Sequence, residues 1–375
     1  MQKNRIFALC IMALAAASSF AASSNQIIVA QVAPFSGVQG QTGSSVHAGA
    51  RLYFDYINSK GGIDGKKIVF VSQDDEYKPE KAVEGVKKLI ETHSPVLFIN
   101  TIGTASTQAI LKSDALKRTK VSLLGPATGA QFVSDSENVF PIRVSYNQET
   151  LTILKHVSLT NPKRIAVWYQ NDSYGSEVLA SIKEHMKSFP SMALVRAEPY
   201  DPRGASFTAG AVAIADQKPD IVFLAAVTKP AVSFIRDFRK ISPLTSVVAM
   251  SPVDPEVLLK DLKPEEYTGV LVGSAYPHPK NSREPIVAEM HKVQKTMGRE
   301  EATSPRYMEG YMTAKTAVLA IKRAAKPLTP ESVTKALSGI SFENIGGAIT
   351  VNYADGKKGL NYVDIGMIGK TQFVQ

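Results

Sequence analysis

From Gln26 onward, short apolar runs alternate with stretches whose apolar residues recur at helical spacing, and the pattern runs through twice. Ile27-Ile28-Val29-Ala30 reads as a strand buried on both faces, and Val46, Ala50, Tyr53 and Ile57 then repeat as one face of a helix. Gly61-Gly62 ends that helix, and Asp64-Gly65 turns the chain into a strand at 68–71. Pro79 suits the first turn of a helix that runs to about Thr92. Further strands are expected at 96–99 and 121–124, with a helix between them. Such alternation calls for a parallel sheet covered on both faces.

The pattern restarts after Arg143, with strands expected at 165–169, 193–196, 221–225, 247–250 and 270–272. Helices fill the gaps near 174–187, 206–216 and 230–240. After Tyr276 come three helical stretches, near 284–297, 307–325 and 330–337, and 349–374 reads as strands again. The expected fold class is α/β, with two doubly wound parallel-sheet lobes joined by a hinge of three chain crossings. Those crossings are expected near Arg143, Ser274 and Ser341. The lobes then comprise 22–143 with 275–340, and 144–274 with 341–375.

The N-terminus reads as an export signal. Lys3 and Arg5 precede an apolar run over 6–17, and Ser19-Phe20-Ala21 offers a cleavage site, so 1–21 is expected to be removed. Twelve apolar residues fall short of the roughly 20 needed to span a bilayer. Cys10, the single cysteine, lies inside that run behind the bulky Leu9, which argues against a lipid-anchored cysteine. The mature chain is left without a disulfide, a thiol nucleophile or a thiolate metal ligand. Its length suits two domains. Losing Lys3 and Arg5 leaves 41 of the 43 basic side chains against 34 acidic ones, a net charge of +7. The basic residues cluster only as pairs such as Lys66-Lys67 and Lys87-Lys88, so no nucleic acid partner is expected.

No catalytic residue, metal site or cofactor is expected. The glycines of 37–43 lack the G-x-G of a dinucleotide loop, and no P-loop lysine follows. Ser332-Val333-Thr334-Lys335 has a serine–lysine spacing without the partner motifs that would give it meaning. None of the six histidines makes an H-x-x-x-H pair. Asp74-Asp75-Glu76 reads as acids that cap and complement the helix after them.

One constellation suits binding. In Gly103-Thr104-Ala105-Ser106-Thr107 a strand has ended, glycine permits a tight turn, and hydroxyls sit where a helix begins. Free backbone N–H groups and the helix dipole attract anions there, and Thr104 adds a neutral donor. Gly125-Pro126-Ala127-Thr128-Gly129 is a second small-residue loop after a strand. Ligands of open parallel sheets bind outside the carboxyl ends of strands.

The chain resembles the leucine/isoleucine/valine-binding proteins of ABC importers, which have the type I periplasmic binding fold. The segment Asn58-Ser59-Lys60-Gly61-Gly62-Ile63-Asp64-Gly65 is close to the family's N-x-x-G-G-I-x-G. Ala33-Pro34-Phe35-Ser36-Gly37, Asp74-Asp75, Ser106-Thr107-Gln108, Arg164-Ile165-Ala166-Val167 and Tyr174-Gly175 follow in the family's order. The resemblance implies that Thr104 holds a ligand carboxylate and that Ala127 and Gly129 are backbone contacts, with Thr128 filling in after a one-residue shift. It also implies that Tyr174 closes over the ligand and that Thr42 and Thr228 lie near aromatic positions of the family. Ser251 falls where amino-acid binders carry a glutamate that meets the ammonium group. The expected protein is therefore a monomeric periplasmic capture subunit for a small carboxylate-bearing solute, a branched-chain amino acid or a related aromatic carboxylate. It would deliver its ligand to a membrane permease by hinge closure and perform no chemistry. A periplasmic sensor subunit of the same fold and a periplasmic enzyme are the rival readings.

Overall fold

The computed structural model describes residues 25–299, 303–369 and 372–374. The export signal and Cys10 lie outside them. Strand β1 (Gln26–Ala33) sits between β2 (Lys67–Asp74) and β3 (Leu97–Ile99), and β4 (Ser122–Leu124) and β5 (Val139–Phe140) extend the sheet. All four pairings are parallel. Helices cover both faces, which is why β1 has no room for alternation and is buried over nearly its whole length. Strands β6 (Arg164–Gln170), β7 (Ala193–Tyr200), β8 (Ile221–Ala225), β9 (Ser246–Ala249) and β10 (Leu271–Ser274) form a second parallel sheet in the order β10-β9-β8-β6-β7.

The sequence between the first two strands explains its own conformation. Asn58, near the end of helix Gly40–Ser59, pairs with both backbone groups of Ile68 at 2.8 Å. Gly62 has φ +84°, and a side chain there would run into the Lys66 carbonyl. The intervening glycine turn therefore pins the start of β2 to the helix that precedes it.

After β10 the chain returns to the first sheet. Helices Pro285–Met297, Pro305–Arg323 and Pro330–Ser338 supply Met290, Met308, Met312, Val333 and Leu337 to the core that also holds Val29, Leu97 and Phe140. Helices Pro305–Arg323 and Gly40–Ser59 cross in close contact. Each is notched by a glycine, since a Cβ on Gly310 would lie 1.9 Å from the Val46 carbonyl and one on Gly49 2.0 Å from that of Tyr307.

Strands β11 (Glu343–Gly346), β12 (Ile349–Asn352) and β13 (Gly359–Leu360) make a small antiparallel sheet, and its position corrects the expected partition. Residues beyond Ser341 were expected with the second lobe. Instead Ile345, Ile349, Val351, Tyr353 and Leu360 all join the first core. Tyr353 packs edge-on to Phe140 at 5.1 Å and donates to the Pro141 carbonyl at 2.9 Å. Alternating apolar residues need an apolar face, and the edge at Phe140 and Ile142 provides it. The third crossing thus lies just before β14 (Asp364–Ile368), which pairs antiparallel with β10, followed by β15 (Phe373–Val374) on its outer edge. No helix among the described residues is long and apolar enough to cross a membrane.

Candidate ligand-binding site

The carboxyl ends of β3 and β4 build one wall of a cleft. Asn100 (φ +50°) and Gly103 (φ +100°) turn the chain sharply before helix Thr104–Lys112. A side chain on Gly103 would enter the Tyr77 ring, so only glycine lets these two loops approach. Gly103 stands at the helix N-cap and no side chain caps the first turn, so its N–H groups are left for another acceptor. Thr104 is buried, with its hydroxyl 2.7 Å from that of Thr128 and 3.4 Å from that of Tyr146. Thr104 therefore does not act as a cap. Ala127 donates its N–H to Thr101 at 2.7 Å, which clamps the second small-residue loop against the first.

The opposite wall comes from the second sheet. Asp172 accepts from the N–H groups of Tyr174 and Gly175 and so starts helix Ser173–Met186. That cap fixes Tyr174, whose ring lies 5.1 Å from Tyr146 and whose hydroxyl donates to the Ala226 carbonyl at 3.4 Å. Val227 and Pro252, just beyond β8 and β9, complete this side. The walls meet around a cavity lined also by Gln39, Thr42, Tyr77, Ile102 and Arg306. Gln170 donates to the Tyr77 hydroxyl at 3.2 Å, and Glu177 accepts from the Gln131 N–H at 2.7 Å, so polar contacts bridge the cleft.

Arg306 enters from helix Pro305–Arg323. It pairs with Glu309 at 2.7 Å and donates to the Ser251 carbonyl across the cleft. Burial works to lower its pKa, but Glu309 more than offsets this and it stays protonated. Burial raises the pKa of Tyr146 and of Tyr174, the former against the opposing charge of Arg143, so both hydroxyls are neutral donors. Burial also raises that of Asp254, against its bond to Ser304 and the charge of Arg306.

Of the residues singled out from the sequence, Thr42, Thr104, Ala127 and Tyr174 line the cavity. Thr128 stands one hydrogen bond behind Thr104. Gly129, Thr228 and Ser251 lie off the wall. Gly129 gives its carbonyl to the Tyr146 N–H at 2.8 Å. The Thr228 hydroxyl donates to the Pro252 carbonyl and accepts from the Asp254 N–H, which shapes the loop carrying Pro252. Ser251 is held by Glu149 through both its N–H and its hydroxyl, and Arg143 donates to the same hydroxyl at 2.8 Å.

Tyr77, Tyr146, Gln39 and Arg306 are wall residues that sequence reasoning did not find. Tyr77 follows the acidic cluster, where the expected helix cap is corrected. Helix Pro79–His93 has Lys78 at its N-cap and no side-chain cap. Asp74 instead accepts from the Phe35 and Glu76 N–H groups, and Asp75 from that of Tyr77. These acids tie down loops, because a carboxylate reaches the N–H two residues on more readily than a helix start further away.

A cleft between two α/β lobes, walled from both, defines a clamp of the type I periplasmic binding fold. The chain matches the model of the periplasmic binding protein family over residues 26–365 and belongs to that family. It is similar to the solved substrate-binding periplasmic protein of Ralstonia solanacearum, with 31% identity and a TM-score of 0.89 over 93% of this chain and 99% of that one. A branched-chain amino acid ABC transporter structure from Thermus thermophilus with bound valine, 16% identical, shares the fold at a TM-score of 0.83, over 93% of this chain and 94% of that one. Among curated relatives, the Leu/Ile/Val-binding protein of Citrobacter freundii is 28% identical over 190 residues, 50% of each chain. The leucine-specific-binding protein of Salmonella typhimurium is 28% identical over 177 residues, 46% of this chain and 47% of its own. The chain thus spans about half the length of the curated relatives it matches.

Proposed function

We propose that this protein is the capture subunit of an ABC importer, exported to the periplasm, which clamps a small carboxylate-bearing solute and hands it to a membrane permease. The observation that carries the reading is the convergence of the Thr104 hydroxyl, the uncapped start of helix Thr104–Lys112 and Arg306 on one cavity between the lobes. A guanidinium, a neutral hydroxyl and an uncapped helix start on one wall suit an anion, and burial strengthens each charge-assisted bond. The names of the relatives, which bind branched-chain amino acids, support a ligand of that size. Hinge motion at the three crossings would open the cleft, and ligand would shift the population toward the closed form. The relatives' names, which describe binding proteins, support capture without chemistry.

The test is a thermal-shift panel of amino acids, aromatic acids, short carboxylates and their amides on unfolded and refolded, ligand-free protein. Carboxylates are expected to raise the melting temperature and to shrink the radius of gyration in solution scattering. Stabilisation by amides alone, or scattering curves unchanged by a saturating ligand, would sink the reading.

A further inference from the structure

We propose that the ligand is a carboxylate whose remaining part carries no free ammonium group, an acid with an uncharged apolar or aromatic tail. This rests on the carboxylate-capture reading and narrows it. Among the described residues, Arg306 is the one charged side chain on the cavity wall, and no carboxylate reaches that wall. The acids on the surrounding elements are committed elsewhere. Glu149 uses both oxygens on Ser251 and Arg143, and Glu309 pairs with Arg306 through one oxygen while its other is buried off the cavity wall. Asp254 holds the Glu256 N–H and Ser304. Asp172 caps helix Ser173–Met186 and accepts from Gln170. Asp75 is fully enclosed behind Tyr77.

Turning Glu149, Glu309, Asp254 or Asp172 toward the cleft would strip a buried arginine or a helix start of its partner, and turning Asp75 would release the Tyr77 loop. An ammonium group in this cavity would meet only neutral acceptors, such as Gln39, whose side-chain oxygen already accepts from Thr42. A charge taken out of water without an opposite partner is heavily penalised. A carboxylate meets the reverse situation, with Arg306 for charge and neutral hydroxyls for the remaining lone pairs. Tyr77, Tyr146 and Tyr174 line the cavity and give the tail an aromatic surface.

The experiment is calorimetry on refolded, ligand-free protein with matched pairs, leucine against isocaproate and phenylalanine against phenylpropanoate. In the pair that binds, the deaminated acid is expected to bind about tenfold tighter or more, a difference of about 1.4 kcal/mol. Parity, or tighter binding of the amino acid, overturns this inference and leaves carboxylate capture standing. Binding by neither kind of carboxylate overturns both. Arg306→Lys keeps a cation beside Glu309 but loses the planar fork, and is expected to weaken the acid several-fold in protein that still melts cooperatively. Unchanged affinity in that variant would overturn Arg306 as the ligand's counter-charge. If the variant fails to fold, the matched pairs on the unaltered protein decide alone.

Discussion

Glu149 accepts both the backbone N–H and the hydroxyl of Ser251, at 2.6 and 2.9 Å. Its second oxygen also pairs with Arg143 at the first crossing between the sheets, and all three residues are buried. A backbone carbonyl of the same serine takes Arg306 from the other side. Two guanidinium groups and two carboxylates thus knit the start of the second lobe to the helix over the cleft. Burial tends to lower the pKa of Arg143, but the neighbouring Glu149 holds it above its ordinary value.

Glu149→Gln should therefore be costly, because it leaves Arg143 charged, buried and without an anion. The expected loss is about 3–5 kcal/mol, typical of breaking one side of a buried pair. Urea denaturation reads it as a fall in midpoint at constant slope. A double variant with Arg143→Met should recover part of the loss, and a Glu149→Gln protein as stable as the original would remove the pair from the hinge's energetics.

Gly310→Ala tests the helix crossing. Its new methyl would meet the Val46 carbonyl, so helices Gly40–Ser59 and Pro305–Arg323 would have to part. Overpacking of this kind costs about 1–3 kcal/mol or more, despite alanine's better helix propensity. Thermal melting should fall by several degrees. A rise would mean that the helices move apart freely.

Much of this architecture is legible in the sequence because buried parallel strands leave continuous apolar runs. The run 221–225 reappears with the same bounds as β8, and the turn at Gly61-Gly62 is written in residues that only that turn requires. The tail reads as strands, but a strand pattern does not say which core it faces, and β11–β13 join the first. Arg306 and Glu309 look like an exposed helical ion pair at i, i+3 spacing. They are buried because that helix is enclosed on nearly every side. Tyr77 has φ +60° in an irregular loop, where no periodicity points to its role. Ser251 faces Glu149 instead of the cleft, a contact across 102 residues that no local pattern encodes.

Thr104→Val removes one hydroxyl at nearly constant volume while Thr128 keeps its bond to the Ala130 N–H. Affinity for the true ligand should drop by about 1.5–3 kcal/mol, or about 10- to 150-fold, as expected for a bond to a charged group. Stability should fall by about 1–3 kcal/mol, since the Thr128 and Tyr146 hydroxyls lose a buried partner. Calorimetry giving an unchanged dissociation constant would take Thr104 out of the site.

Asp75 should give the fold a distinctive pH dependence. It is fully enclosed, one of its oxygens accepts from the Tyr77 N–H, and the other has no partner among the described residues. Burial pushes its pKa up to about 7, and the neighbouring charges of Asp74 and Glu76 add to the rise against the Tyr77 bond. The folded pKa thus lies above the unfolded value of 3.8, so the folded state favours the protonated acid. Its contribution to stability is complete below the unfolded value and is lost progressively as pH rises toward about 7, beyond which it is flat. About three pKa units correspond to about 4 kcal/mol. His47, held at about 4 by burial and then by Arg51, acts oppositely and loses stability as pH falls below its unfolded 6.5. That effect is common to both proteins when Asp75→Asn is compared with the original. Asparagine keeps the acceptor for Tyr77 and never ionises. The variant should therefore match the original near about pH 4 and exceed it increasingly up to about pH 7, by a few kcal/mol in urea denaturation. Stability curves that run parallel across that range would mean that Asp75 reaches water or a cation on folding, and that the loop carrying Tyr77 is held by other contacts.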